Sequence, residues 1–133
     1  MPKETRYLTL PDVVALHEAV MLRFGQGPSP LRDEGLLESA VNRPTMAAYY
    51  EGADVIEQAA LLAIAISQAQ AFIDGNKRTA YVAARVFLEI NGQTFVGAPL
   101  DLARWLVTLA EDSRNRALHA HFTSWLRGQV EQQ

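Results

Sequence analysis

Apolar residues recur along the chain at spacings of three and four, and alternating strand-like runs are almost absent, so the pattern predicts an all-α fold. The first stripe, Val13, Leu16, Val20 and Phe24, lies on a helix expected from about Leu10 to Phe24. Thr9 can cap its free amides, Pro11 is tolerated in the first turn, and Asp12 at the third helical position completes a capping-box pattern. Gly25 is placed to end that helix in the left-handed conformation, and Gln26-Gly27-Pro28-Ser29-Pro30 reads as a loop. Asp33 can cap a short helix through about Asn42 that buries Leu36, Leu37, Ala40 and Val41, with Pro44 expected to end it. Residues 43–53 carry no clear pattern.

Two near-uniformly apolar helices follow. Asp54-Val55-Ile56-Glu57 is a second capping-box pattern, opening a helix to about Ala71, and after a break at Phe72-Ile73-Asp74-Gly75 another runs from about Asn76 to Ile90, where Asn91-Gly92 stops it. Helices apolar on nearly every face belong at the centre of a fold, so these two are expected to be buried and joined by one short loop. Gln93 to Val96 reads as a short extended piece, Pro99 to Glu111 and Ser113 to Leu126 as amphipathic helices, and the polar end Gln129 to Gln133 as frayed. The expectation is a helical bundle of about six helices forming a single domain over residues 1–133.

Composition narrows the class of protein. The 133 residues are 49% apolar and 20% charged, a globular balance that can offset conformational entropy by burial. The absence of cysteine excludes disulfides, thiolate nucleophiles and Cys-ligated metals, and fits a reducing, cytoplasmic setting. The start of the chain has no apolar segment of the secretory kind. The longest all-apolar run, Ala59 to Ile66, is eight residues, whereas a membrane span needs roughly 18 or more, so no membrane partner is expected. Twelve basic against fifteen acidic residues give a net charge of -3, which argues against direct nucleic-acid binding.

The stretch Gln70-Ala71-Phe72-Ile73-Asp74-Gly75-Asn76-Lys77-Arg78-Thr79 holds the candidate chemistry. A loop ending in Gly-Asn at the start of a helix leaves several backbone N–H groups unpaired at the positive end of the helix dipole, where an anion binds. Lys77 and Arg78 sit in that first turn, where the dipole disfavours cations by roughly 0.3–1 kcal/mol each, and a bound phosphate would remove the conflict. Asp74 is placed to hold a magnesium ion that bridges phosphate oxygens, and Phe72 to point inward as an anchor. The same residues also read as an ordinary turn and cap with solvated charges, and spacing alone does not choose between the two.

The string Phe72-Ile73-Asp74-Gly75-Asn76-Lys77-Arg78-Thr79-Ala80 resembles the signature of the Fic/Doc superfamily, His-x-Phe-x-(Asp/Glu)-(Gly/Ala)-Asn followed by Gly-Arg in Fic and Lys-Arg in Doc. Lys77 points to the Doc, or death-on-curing, branch. Asp12-Val13-Val14-Ala15-Leu16-His17-Glu18, the run from Leu31 to Ala40 with Arg43-Pro44 after it, and Phe87-Leu88-Glu89-Ile90-Asn91-Gly92 resemble the same branch in the same order. The resemblance implies an all-helical toxin that moves the terminal phosphate of ATP onto a threonine of elongation factor Tu. It also implies a small Phd-like antitoxin whose C-terminal segment folds as a helix into a groove on the toxin. Carried over by position, Asp74 organises magnesium, Gly75 and Asn76 supply the anion hole, and Lys77 and Arg78 hold nucleotide phosphates. Fic enzymes commonly carry a second arginine three residues after the first; here that position is Tyr81, which disfavours transfer of AMP.

One motif position departs from the family. The leading histidine, which takes the proton from the attacking hydroxyl, is Gln70 here. A general base typically contributes 10²–10⁴-fold, and an amide cannot accept that proton, so impaired chemistry with surviving nucleotide binding is expected. None of His17, His119 and His121 is expected near the loop, and residues 119 and 121 do not share a helical face. Glu111-Asp112, Glu34 and Glu38 read as surface charges and Trp105 and Trp125 as core. The loop 25–30 and segment 43–53, the least regular stretches, are the expected wall of the substrate cleft.

Overall fold

The computed structural model describes residues 4–24, 27 and 29–133. Among them are six helices, α1 (Leu10–Arg23), α2 (Glu34–Glu51), α3 (Val55–Ala69), α4 (Asn76–Ile90), α5 (Pro99–Glu111) and α6 (Arg116–Gly128). Two three-residue strands, β1 (Gln93–Phe95) and β2 (Val130–Gln132), complete this all-α architecture. The helix starts follow local chemistry. Thr9 and Asp12 form the expected reciprocal cap on α1, and Asp54 and Glu57 do the same on α3. Asp33 accepts from the Leu36 N–H at 3.0 Å at the start of α2.

Helix α3 is the axis of the bundle. It packs against α2 and α4 most extensively and also touches α5 and α6. Ala59, Ala60 and Ala63 on α3 and Ala80, Ala83 and Ala84 on α4 are buried, and side chains this small allow the two backbones to approach closely. Leu62, Ile66, Phe87, Leu102, Leu106, Phe122 and Leu126 fill the remaining core. Trp105 and Trp125 pack with Phe122 and with each other at centroid separations of 5.6–6.2 Å, a partly buried aromatic cluster that covers the core between α5 and α6.

Helix α2 corrects the sequence expectation. Pro44 does not end it; the helix runs on to Glu51, and Gly52 closes it in the left-handed conformation with φ 65°. The proline removes one backbone donor, but it lies on the stripe Leu37, Ala40, Val41, Pro44 and Ala47, all buried. Burial of that face against α3 outweighs a break that local propensity alone would impose. Residues 43–51 are therefore helical rather than an irregular cleft wall, and Leu36 is exposed rather than buried. On α1 the buried face is Val13, His17, Val20 and Met21, with Leu16 only partly buried and Phe24 exposed. The expected stop at Gly25 lies outside the described residues, as do Gln26 and Pro28.

Three boundaries also shift. Helix α3 stops at Ala69 because Gln70 takes a left-handed conformation. The last helix starts at Arg116, where Asn115 caps the Leu118 N–H at 3.0 Å, and runs to Gly128. The chain end is not frayed: β2 pairs antiparallel with β1, Phe95 opposite Val130, and the Gln133 amide reaches Glu89 and Thr94 at 2.8 and 2.9 Å. Phe95 is 4% exposed, so the pairing covers an apolar side chain that would otherwise meet water. No described helix is long and apolar enough to cross a membrane.

Candidate active site

The loop between α3 and α4 is held from three sides. Gln70, at its entry, has φ 53° and ψ 38°, the one described non-glycine residue with positive φ. Its carbonyl accepts from Arg32 Nε at 3.0 Å and also from the second terminal nitrogen of that guanidinium. The Ala71 carbonyl accepts from the N–H groups of Arg32 and Asp33, and Pro30 and Ser29 accept from the N–H groups of Ile73 and Asp74. The segment 29–33 thus clasps the loop with backbone bonds and with the Ser29 and Arg32 side chains, and Leu31 bridges Phe72 in antiparallel fashion. Such long-range bonds fix a turn that its own residues would leave mobile.

Inside the loop, Phe72 points inward as expected and is 2% exposed. The Asn76 side chain accepts from the Phe72 N–H at 3.1 Å and donates to the Phe72 carbonyl at 2.8 Å. Its amide group is thereby spent on holding the loop. Beneath the loop lies α1. The His17 ring stacks on Phe72 at 3.7 Å with an interplanar angle of 8°, and His17 Nε2 lies 2.8 Å from the Asp74 carbonyl. Since a carbonyl only accepts, Nε2 carries the proton. The expectation that no histidine approaches the loop is therefore wrong for His17, although a nitrogen committed to that bond is no substitute base. His119 and His121 lie on α6.

Gly75 is shaped by the same helix. Its φ is 82°, and a Cβ there would lie 2.8 Å from Met21 Sδ and 3.3 Å from His17 Nε2. Only glycine meets both constraints without strain or displacement. The first amides of α4 have no intrahelical acceptor, and among the described residues no side chain caps them. Gly75 N–H is taken by Asp74 Oδ1 at 2.8 Å, a carboxylate occupying the position an incoming anion would use.

Gln70, Ile73, Asp74, Gly75, Asn76, Lys77 and Arg78 line one cleft of about 340 Å³. Tertiary structure thus gathers every polar residue singled out in the motif, with Phe72 underneath. Among the described residues, Lys77 and Arg78 form no ion pair, and the Arg78 guanidinium lies 3.9 Å over the Phe24 ring. A cleft with exposed cations, free helix amides and one carboxylate is chemically suited to an anion of phosphate type. The Gln70 side chain is tied in turn: it donates to the Ser67 carbonyl at 3.1 Å and accepts from Asn76 at 3.5 Å.

Sequence reasoning placed Ser29 and Pro30 in the cleft wall with loop 25–30, but missed the contacts of Arg32, His17, Met21 and Phe24 with the motif loop. One signal was available for His17, since a polar residue within the buried stripe of a helix requires a partner across the interface. The clasp by segment 29–33 left no local trace.

These features define a class: an all-helical architecture whose two central helices, α3 largely buried and α4 buried along one face, meet at a polar loop suited to an anion. The Fic/DOC family profile matches residues 7–88, which contain the whole loop and its clasp. The chain is 40% identical over 115 residues to a protein named Toxin Doc from Mycolicibacterium smegmatis, covering 84% of this chain and 79% of that one. It is 34% identical over 95 residues to Protein kinase doc of Escherichia phage P1, covering 71% and 75%. The chain belongs to the Fic/Doc family.

Proposed function

We propose that this chain is a Doc-type toxin of a toxin–antitoxin pair, by descent a kinase that moves the γ-phosphate of ATP onto a threonine of elongation factor Tu, with its chemical step impaired at Gln70. The observation that carries the reading is the cleft itself, where Asp74, Gly75, Lys77 and Arg78 converge at the start of α4. The names of the two relatives, one a toxin and one a protein kinase, support the activity class. The unpaired amides of α4 and the Lys77 and Arg78 side chains would bind and orient the nucleotide phosphates, which is most of what phosphoryl transfer requires. Among the described residues, the exposed Asp74 carboxylate engages one oxygen with the Gly75 N–H and leaves its second oxygen unengaged. That fits a magnesium ion held by one carboxylate together with the phosphates. When bound, the ion would neutralise developing phosphate charge.

Gln70 accounts for the impairment. Its amide is hydrogen-bonded to Ser67 and Asn76 and cannot accept the proton of an attacking hydroxyl, so the cleft retains binding groups without a base. The same residue favours a second reading, a non-catalytic relative that binds nucleotide or antitoxin only. Transfer of AMP is disfavoured because Tyr81 occupies the second-arginine position and its hydroxyl accepts from Arg85 at 2.9 Å. A small antitoxin whose C-terminal helix lies in a groove, and a cytoplasmic site of action, complete the proposal.

Incubation of elongation factor Tu with γ-labelled and α-labelled ATP, using this chain and its Gln70→His variant, tests the reading. Transfer of γ-label by the variant, with little or none by the unaltered chain, is expected. Transfer by neither, with nucleotide still bound, would favour the non-catalytic relative; α-label on the target would indicate AMP transfer.

A further inference from the structure

Three residues along one side of α1 and its C-cap, His17, Met21 and Phe24, approach successive parts of the motif loop. They stand at i, i+4 and i+7, and meet the Asp74 carbonyl, Gly75 and Arg78 respectively. The first contact governs the orientation of a peptide plane. In a trans peptide the C=O and the following N–H point in opposite directions. The Asp74 carbonyl points inward to His17, which is 2% exposed, so the Gly75 N–H must point outward, on the side where the exposed Asp74 carboxylate meets it.

Two bonds hold that orientation, the local one from the Gly75 N–H to Asp74 Oδ1 and the long-range one from His17 Nε2 to the Asp74 carbonyl. Glycine populates positive and negative φ about equally, so the peptide between residues 74 and 75 can flip at little backbone cost. A flipped plane would turn a carbonyl dipole into the cleft and repel the anion that the cleft is otherwise built to accept. The Ser29 bond restrains the neighbouring 73–74 peptide through the Asp74 N–H, leaving His17 Nε2 as the one described side-chain donor to the Asp74 carbonyl.

We infer that His17 is a positioning residue of the phosphate site: by donating from Nε2 to the Asp74 carbonyl, it holds the Gly75 N–H on the cleft side, where Asp74 Oδ1 now accepts from it and a phosphate oxygen would replace that carboxylate oxygen. The inference rests on the nucleotide-binding reading given above and assigns to α1 a role in ligand affinity beyond packing. His17 itself touches no ligand. Its ring stack on Phe72 is a separate contribution, because an aromatic ring without a donor can supply it.

Two substitutions separate the donor from the ring. His17→Phe keeps the ring and removes the N–H; His17→Gln loses the ring and retains a donor at the same bond distance from the backbone. Magnesium-ATP binding is measured by titration calorimetry well below the unfolding temperature, with the carbonyl ¹³C shift of Asp74 recorded in the ligand-free proteins. The phenylalanine variant is expected to bind about tenfold more weakly or worse, as for loss of a donor to a charged group, and the glutamine variant within about threefold of the unaltered chain. The Asp74 shift should move in the first variant and stay near its original position in the second. Binding by the phenylalanine variant at unaltered strength would overturn the inference, as would equal loss in both variants. If the unaltered chain binds no nucleotide, the kinase reading fails; the Asp74 shifts then still decide whether His17 orients the peptide.

Discussion

Asn76 grips Phe72 by both backbone polar groups, accepting from its N–H at 3.1 Å and donating to its carbonyl at 2.8 Å. The residue that opens α4 is in this way also the residue that closes the loop before it. All four groups are at buried residues, so the pair replaces water that the buried Phe72 backbone cannot reach. Asn76→Ala would leave a buried donor and a buried acceptor unpaired, and is expected to lower stability by about 2–4 kcal/mol. Urea unfolding measures the loss; an effect below about 1 kcal/mol would show that the loop is held mainly by its clasp.

Gln70 occupies a left-handed conformation that costs a side chain of its type on the order of 1 kcal/mol. Gln70→Gly removes that strain and also the part-buried side-chain bonds to Ser67 and from Asn76, together worth about 0.5 kcal/mol or more. The lost bonds and the greater unfolded-state entropy of glycine offset most of the relieved strain, so a net gain of at most a few tenths of a kcal/mol in unfolding free energy is expected, with no restoration of phosphoryl transfer. A loss of stability would mean that the Ser67 and Asn76 contacts of the glutamine outweigh its backbone strain.

Gly75→Ala meets both obstacles at once, a φ of 82° and Met21 Sδ at 2.8 Å. Destabilisation of about 2 kcal/mol or more is expected, together with loss of magnesium-ATP binding. Adding Met21→Ala to that variant removes the collision but not the backbone strain. Measured against Met21→Ala alone, the glycine substitution should therefore cost less than in the unaltered chain without becoming neutral, an effect a double-mutant cycle quantifies.

The start of α3 is tied to α6 by Arg127, which donates to Asp54 at 2.8 Å. Partial burial works to raise the Asp54 pKa, but the Arg127 guanidinium and the Glu57 N–H more than reverse it and hold the carboxyl below the ordinary value of 3.8. A carboxyl with a depressed folded-state pKa stabilises the fold above its unfolded pKa, and the contribution fades as pH falls through and below that value. Both side chains are about half exposed, so solvent screening limits the pair to about 1 kcal/mol or less. Arg127→Ala should cost that amount at pH 7 and progressively less below about pH 4, which urea unfolding at pH 7 and pH 3 compares.

How far the chain was legible follows the range of each interaction. The capping boxes at Thr9 and Asp54, the start of α4 at Asn76 and its end at Asn91-Gly92 were all readable, because each depends on groups within about four residues. The composition of the cleft was readable for the same reason: Gln70 to Arg78 are contiguous, so a short loop between two helices brings them to one place. Pro44 misled because its local effect is to break a helix, whereas the buried stripe from Leu37 to Ala47 supplies packing that only α3 provides. The end of the chain misled likewise, since Gln129 to Gln133 are polar and gain order from β1.

The sequence by itself determined that this is an all-helical chain of the Fic/Doc family with a glutamine in the place of a base, because those properties reside in residue identity and short spacing. Only the tertiary structure decided what holds the loop in shape: the clasp from Arg32 and its neighbours, and the face of α1 that places His17 under Asp74 and Met21 against Gly75. Those contacts join residues 38 to 57 positions apart. A hydrogen bond or a steric limit at that range exists only once the core has brought the helices together, and no pattern along the chain encodes which backbone group it will meet.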